Sequence, residues 1–191
     1  MKLLEKKEDY VTCLQLLVDG MKQNEYSQNR EAVERTFDWI HNILILLEAR
    51  KTDANPESTG KEDSFRRQIM INFRGLIRLD PHLTVELIDD MFANEQEKFV
   101  ESINGHIEEQ FMYLDYLLSV QHDKIQSCIE SYLMSGTDKE KALTFMKLQS
   151  LHLRLMCQNF PKQVLDRVKR IKKNEIKFKL DECLEICEEY K

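Results

Sequence analysis

The stretch from Thr137 to Lys191 reads TDKEKALTFMKLQSLHLRLMCQNFPKQVLDRVKRIKKNEIKFKLDECLEICEEYK, and its reading decides the fold. Leu148, Leu151 and Leu155 recur at three and four residues, the spacing that sets side chains on one face of an α-helix. That stripe stops near Asn159. Pro161 then opens a new helix, because a proline in the first turn gives up only an N–H that had no partner. Val164, Val168 and Ile171 stripe this second helix. Leu180, Cys183, Leu184 and Cys187 stripe a third, which runs to the end of the sequence without a stop signal. Thr137-x-x-Glu140 has the spacing of a capping box at the start of the first. Three amphipathic helices joined by short turns predict stacked helical hairpins.

The same grammar extends toward the N-terminus. Leu3, Tyr10, Leu14, Leu17 with Val18, and Met21 mark one helix face. Residues 30–51 form a second helix, with Phe37, Ile40, Leu44 and Leu47 as its main stripe. Ile43, Ile45 and Leu46 make it apolar almost all round, which predicts a buried central helix. Residues 52–63 (TDANPESTGKED) carry Pro, Gly, Ser, Thr and Asp and read as a mobile surface loop. A helix over 64–79 follows, with Phe65, Ile69, Phe73, Leu76 and Ile77 inward. Asp80-Pro81 is a cap and first-turn proline for the next, carried by Leu83, Leu87, Ile88 and Met91. A short helix spans 95–103, and Asn104-Gly105 is a turn signal. Ile107, Phe111, Leu114 and Leu118 stripe one further helix. Ile125, Cys128, Ile129, Tyr132 and Leu133 stripe another, which Gly136 ends. No segment alternates apolar and polar residues with the period of two that a half-buried strand needs.

The sequence therefore predicts an all-α fold of about ten helices: an α-solenoid of stacked antiparallel hairpins, one segment over 1–191. Pro81 and Pro161 lie 80 residues apart, and at that offset Phe73 falls on Leu153, Leu76 on Met156, Val85 on Leu165 and Ile88 on Val168. Such an echo fits a repeat architecture.

Composition narrows the function. Apolar residues make up 42% of the 191, enough for a core, and charged residues 32%. The net charge of -6 argues against a protein that is basic all over, as nucleic-acid binders often are. Lys2 and the charged run from Glu5 to Asp9 interrupt any leader-like apolar core. No run approaches the roughly 18 apolar residues of a membrane span. The five cysteines (Cys13, Cys128, Cys157, Cys183, Cys187) are odd in number and lie mostly on apolar faces, which fits reduced core thiols.

Cys183 and Cys187 share a helix face, but a zinc site needs two more ligands, and Cys157 and His152 could join only through folding. Core packing is the better reading. His41, His82, His106, His122 and His152 form no ligand motif and read as surface or half-buried. Asp89-Asp90 and Glu108-Glu109 read as solvated faces. No phosphate-cradling glycine loop and no nucleophile elbow is present. The run from Lys162 to Lys179 holds eight cations against Asp166 and Glu175. It reads either as a patch for anionic lipid or nucleic acid, or as a solvated helix end paired with the acids of the next helix. The second reading is preferred. No catalytic, cofactor or metal residue is expected, and the chain reads as a non-enzymatic scaffold. A compact all-α binding module is the alternative.

FMYLDYLLS (111–119), LHLRLMCQNFPKQVL (151–165) and KLDECLEICEEYK (179–191) resemble the clathrin-heavy-chain-type repeat of endolysosomal tethering subunits, most of all those specific to CORVET-type complexes. The likeness is best over 106–191. It implies a fragment of a longer chain, since such subunits carry a β-propeller before the solenoid and often a RING-type finger near the end. It also implies assembly with other subunits of a CORVET- or HOPS-type tethering complex. A Rab GTPase would engage parts outside this chain. The expected setting is cytoplasmic and peripheral on endosomes or the lysosome/vacuole, in membrane trafficking and vesicle fusion, without nucleic acid.

Overall fold

A computed structural model describes residues 9–21, 29–51, 56–92, 95–173 and 175–190. Among them are ten α-helices and no strand. The chain divides into two compact units, Met1–Met91 and Phe92–Lys191.

The first unit holds α1 (Tyr10–Met21), α2 (Arg30–Lys51), α3 (Pro56–Leu79) and α4 (Pro81–Met91). Three of these begin on a side-chain cap. Asp9 accepts from the Thr12 N–H at 3.2 Å, Asn29 from Ala32 at 3.2 Å, and Asp80 from Leu83 at 3.0 Å. Each bond satisfies one of the donors that a helix start leaves open. The Asp80-Pro81 signal therefore holds. The Leu3 position lies outside the described residues.

The centre of this unit is α3, which packs against α1, α2 and α4. Phe65, Ile69, Leu76 and Ile77 are fully buried along it. The expected central helix was α2, and there the structure differs. Ile40, Leu44 and Leu47 face in, while Ile45 is 53% exposed and Leu46 is on the surface. Apolar residues on both sides of α2 do not make it a core helix, because the side with Ile45 and Leu46 stays exposed.

The loop expected over 52–63 is also shorter. Residues 52–55 lie outside the described residues, but α3 already starts at Pro56. The proline sits where its missing N–H costs nothing. Glu62 is buried against Arg66 at 2.7 Å, and Arg66 also donates to the Met91 carbonyl at 2.9 Å. Glu62, polar in a polar stretch, instead makes an ion pair within α3 that holds Arg66, whose hydrogen bond ties α3 to the end of α4.

The second unit holds α5 (Gln96–Ser102), α6 (Ile107–Val120), α7 (His122–Ser135), α8 (Lys139–Asn159), α9 (Pro161–Lys172) and α10 (Leu180–Glu189). Here α8 is central and packs on α6, α7, α9 and α10. None of these six helices starts on a side-chain cap. The capping box expected at Thr137 and Glu140 does not form. Gly136 (φ 74°) and Asp138 (φ 52°) both turn left-handed before α8, and the Thr137 hydroxyl is spent on Ser135 at 2.9 Å.

Leu153, Ile171, Ile176, Cys183 and Ile186 form the core where α8, α9 and α10 meet. Ser150 donates to Glu182 at 2.7 Å, Arg154 pairs with Glu189, and Gln158 donates to the Tyr190 hydroxyl at 3.0 Å. Residues one turn apart on α8 thus meet α10 in the same order. The two helices run side by side in one direction, with α9 as the return between them.

Candidate functional site

Between α6, α8 and α9 lies a cleft of about 290 Å³. Lys162, Gln163, Asp166, Arg167 and Arg170 line it from α9, His152 and Met156 from α8, and Asp115 from α6. The α9 set recurs at three- and four-residue spacing, so it forms one face of that helix. Pro161 makes this possible: α9 begins two residues after α8 ends, which folds its first turn back beside His152.

His152 is 1% exposed and stacks on Phe111 at 5.0 Å, which in turn stacks on Phe160 at 4.1 Å. Its Nε2 lies 3.2 Å from Asp115 Oδ1 in an oblique approach, so neither ring nitrogen completes a well-aligned hydrogen bond. Burial pushes the imidazole below its ordinary pKa, against the pull of Asp115. The close polar contact with His152 holds the Asp115 carboxyl below the usual range, against its own desolvation. The pair is thus a neutral imidazole beside an ionised carboxylate. Arg167 is half-buried, and burial, then the like charge of Arg170, lower it to about 10. Among the described residues neither Arg167 nor Lys162 has a carboxylate within ion-pair distance.

His152 was expected at the surface or half-buried and is instead in the core. The signal was available, since it falls four residues after Leu148 and three before Leu155 on the inward stripe. His82 and His106 are exposed, and His41 and His122 are half-buried, as expected. Glu109, expected on a solvated face, is 3% exposed. Among the described residues the cations of the basic run form no ion pair with the acids of α10. Lys169 pairs with Asp166 at 3.4 Å, Arg170 and Lys173 approach Glu175 at 3.7 and 3.9 Å, and Lys177 approaches Glu130 at 3.8 Å. Folding joins Cys157 to Cys183 and Cys187 but leaves His152 on the cleft side. Burial first, and then the neighbouring Cys187 thiol, push Cys157 and Cys183 up to about 11. Such thiols stay protonated and are poor nucleophiles. Among the described residues no three His, Cys, Asp or Glu side chains are placed to hold a metal ion.

α10 presents two faces. Cys183 and Ile186 are buried, whereas Leu180 and Leu184, expected in the same stripe, are 40% and 47% exposed. Asp181, Glu185 and Glu188 are exposed beside them. Among the described residues no helix is long and apolar enough to cross a membrane. Comparison with protein-family models, curated proteins and solved structures returns no match.

Proposed function

We propose that this chain is a non-enzymatic scaffold segment that works by protein–protein assembly, with the outer face of α10 as a docking surface. The observation that carries this reading is that α10 has two apolar faces. One closes the core through Cys183 and Ile186, and the other leaves Leu180 and Leu184 in water. The parallel run of α8 and α10 supports a stacking geometry in which the next helix lies on that outer face. Asp181, Glu185 and Glu188 beside it call for an amphipathic helix with Lys or Arg flanking its apolar stripe.

The resemblance of residues 106–191 to clathrin-type repeats makes the partner a subunit of a CORVET- or HOPS-type tethering complex. The setting is then the cytoplasmic face of endosomes or the lysosome/vacuole, with a Rab GTPase engaged elsewhere in the parent protein. The test is affinity purification of the tagged parent from its own cells, with and without Leu184→Asp. Endolysosomal sorting subunits should co-purify with the wild type and be lost from the variant. An abundant, folded bait that brings down none of them sinks the tethering reading.

The division into two units, each with its own buried residues, favours a second reading, a compact all-α binding module unrelated to tethering. That module would lose its partner on Leu184→Asp as well, but the partner would be no sorting subunit.

A further inference from the structure

We propose that the cleft between α6, α8 and α9 binds a phosphate group, held by Arg167 and Lys162 with Arg170 at its edge. The proposal does not rest on the scaffold reading. It starts from an excess of cations. Half-buried Arg167 shares the cleft with Lys162 and Arg170, against the two carboxylates of Asp115, which also meets His152 at 3.2 Å, and Asp166, which also meets Lys169 at 3.4 Å. Cations in excess of carboxylates attract an anion, and the planar guanidinium fork matches two phosphate oxygens.

Lys162 adds a second cation without an ion pair among the described residues. It lies in the first turn of α9, where the helix dipole also favours an anion. His152, 99% out of solvent with no well-aligned partner at either nitrogen, completes the wall. Its neutral ring turns Nε2 toward Asp115, so His152 shapes the wall while the cations hold the phosphate. The 290 Å³ is several times the ~30 Å³ that a water occupies in the liquid, so a phosphate and part of its attached group fit.

A track for a long polyanion fits less well. Lys169, Arg170, Lys173 and Lys177 each lie within 4 Å of a carboxylate, which breaks the basic run into a local site. The phosphate belongs either to a soluble small molecule or to a lipid headgroup.

Isothermal titration of the whole chain with inorganic phosphate and with glycerol phosphate tests the first source. Flotation with phosphatidylcholine vesicles, with and without phosphatidylinositol monophosphate, tests the second. Saturable binding in either arm that falls about ten- to hundredfold in Arg167→Gln supports the proposal. Lys162→Gln should weaken it too, and this exposed residue carries the test if Arg167→Gln does not fold. Lys172→Gln and Lys179→Gln, outside the cleft, should leave binding unchanged. Binding in neither arm overturns the proposal. So does binding that ignores both cleft variants, or that falls equally with Lys172→Gln and Lys179→Gln.

Discussion

His152 makes stability depend on pH. The unfolded chain takes up a proton on this imidazole near pH 6.5, whereas the buried ring stays neutral to lower pH. Below about pH 6.5 the unfolded state therefore binds more protons, and stability falls as the solution becomes more acid. The Asp115 carboxylate adds a contribution present above its ordinary pKa and lost as pH falls through its lowered one. His152→Gln should flatten the slope of melting temperature against pH between about 6.5 and 5. An unchanged slope would place the titration elsewhere. Asp80→Ala should cost about 1 kcal/mol, seen as a lower urea midpoint, since the Leu83 N–H loses its acceptor. That cap was legible in the sequence because Asp-Pro is a local signal. Asp9 and Asn29 were not recognised as caps, as neither is followed by proline.

At the scale of the helix, one stripe can hide two faces. Ile186 is 1% exposed and Leu184 is 47% exposed, two residues apart on α10. Ile186→Ala should destabilise by about 2–4 kcal/mol in thermal or denaturant unfolding. Leu184→Ala should stay within about 0.5 kcal/mol. Equal effects would mean that α10 is rotated about its axis. Glu62 gives the matching test in α3. Glu62→Ala leaves Arg66 without its carboxylate and should cost about 1–3 kcal/mol. A loop residue would cost nearly nothing. The helix periods at 30–51, 107–120 and 161–172 could be read from sequence, since they depend on local spacing. Which side of each helix meets a neighbour could not. The 80-residue echo shows the limit: Phe73 and Leu153 are both buried, but Val85 is buried where Leu165 is 62% exposed.

Each of the two units closes its own set of apolar side chains, Phe65, Ile69 and Leu76 in one and Leu114, Leu117 and Leu153 in the other. Residues 92–191 expressed alone should therefore fold, with helical circular dichroism and one cooperative melt. A featureless spectrum would show that the second unit depends on the first. Any phosphate binding should travel with this piece, because Asp115, His152 and Arg167 all lie within it.

The sequence by itself determined that this chain is all-α, where most of the ten described helices lie and that α8 to α10 form one packed set. Those outcomes follow from apolar spacing, proline and glycine, which act within a few residues. Only the tertiary structure decided that α3 and α8 are central and that Glu62 and His152 are buried. It alone brought Cys157 to Cys187 and set Arg167 and Lys162 around a cleft. Each of these depends on residues far apart in the chain, and a helical period says which residues share a face without saying what that face will meet.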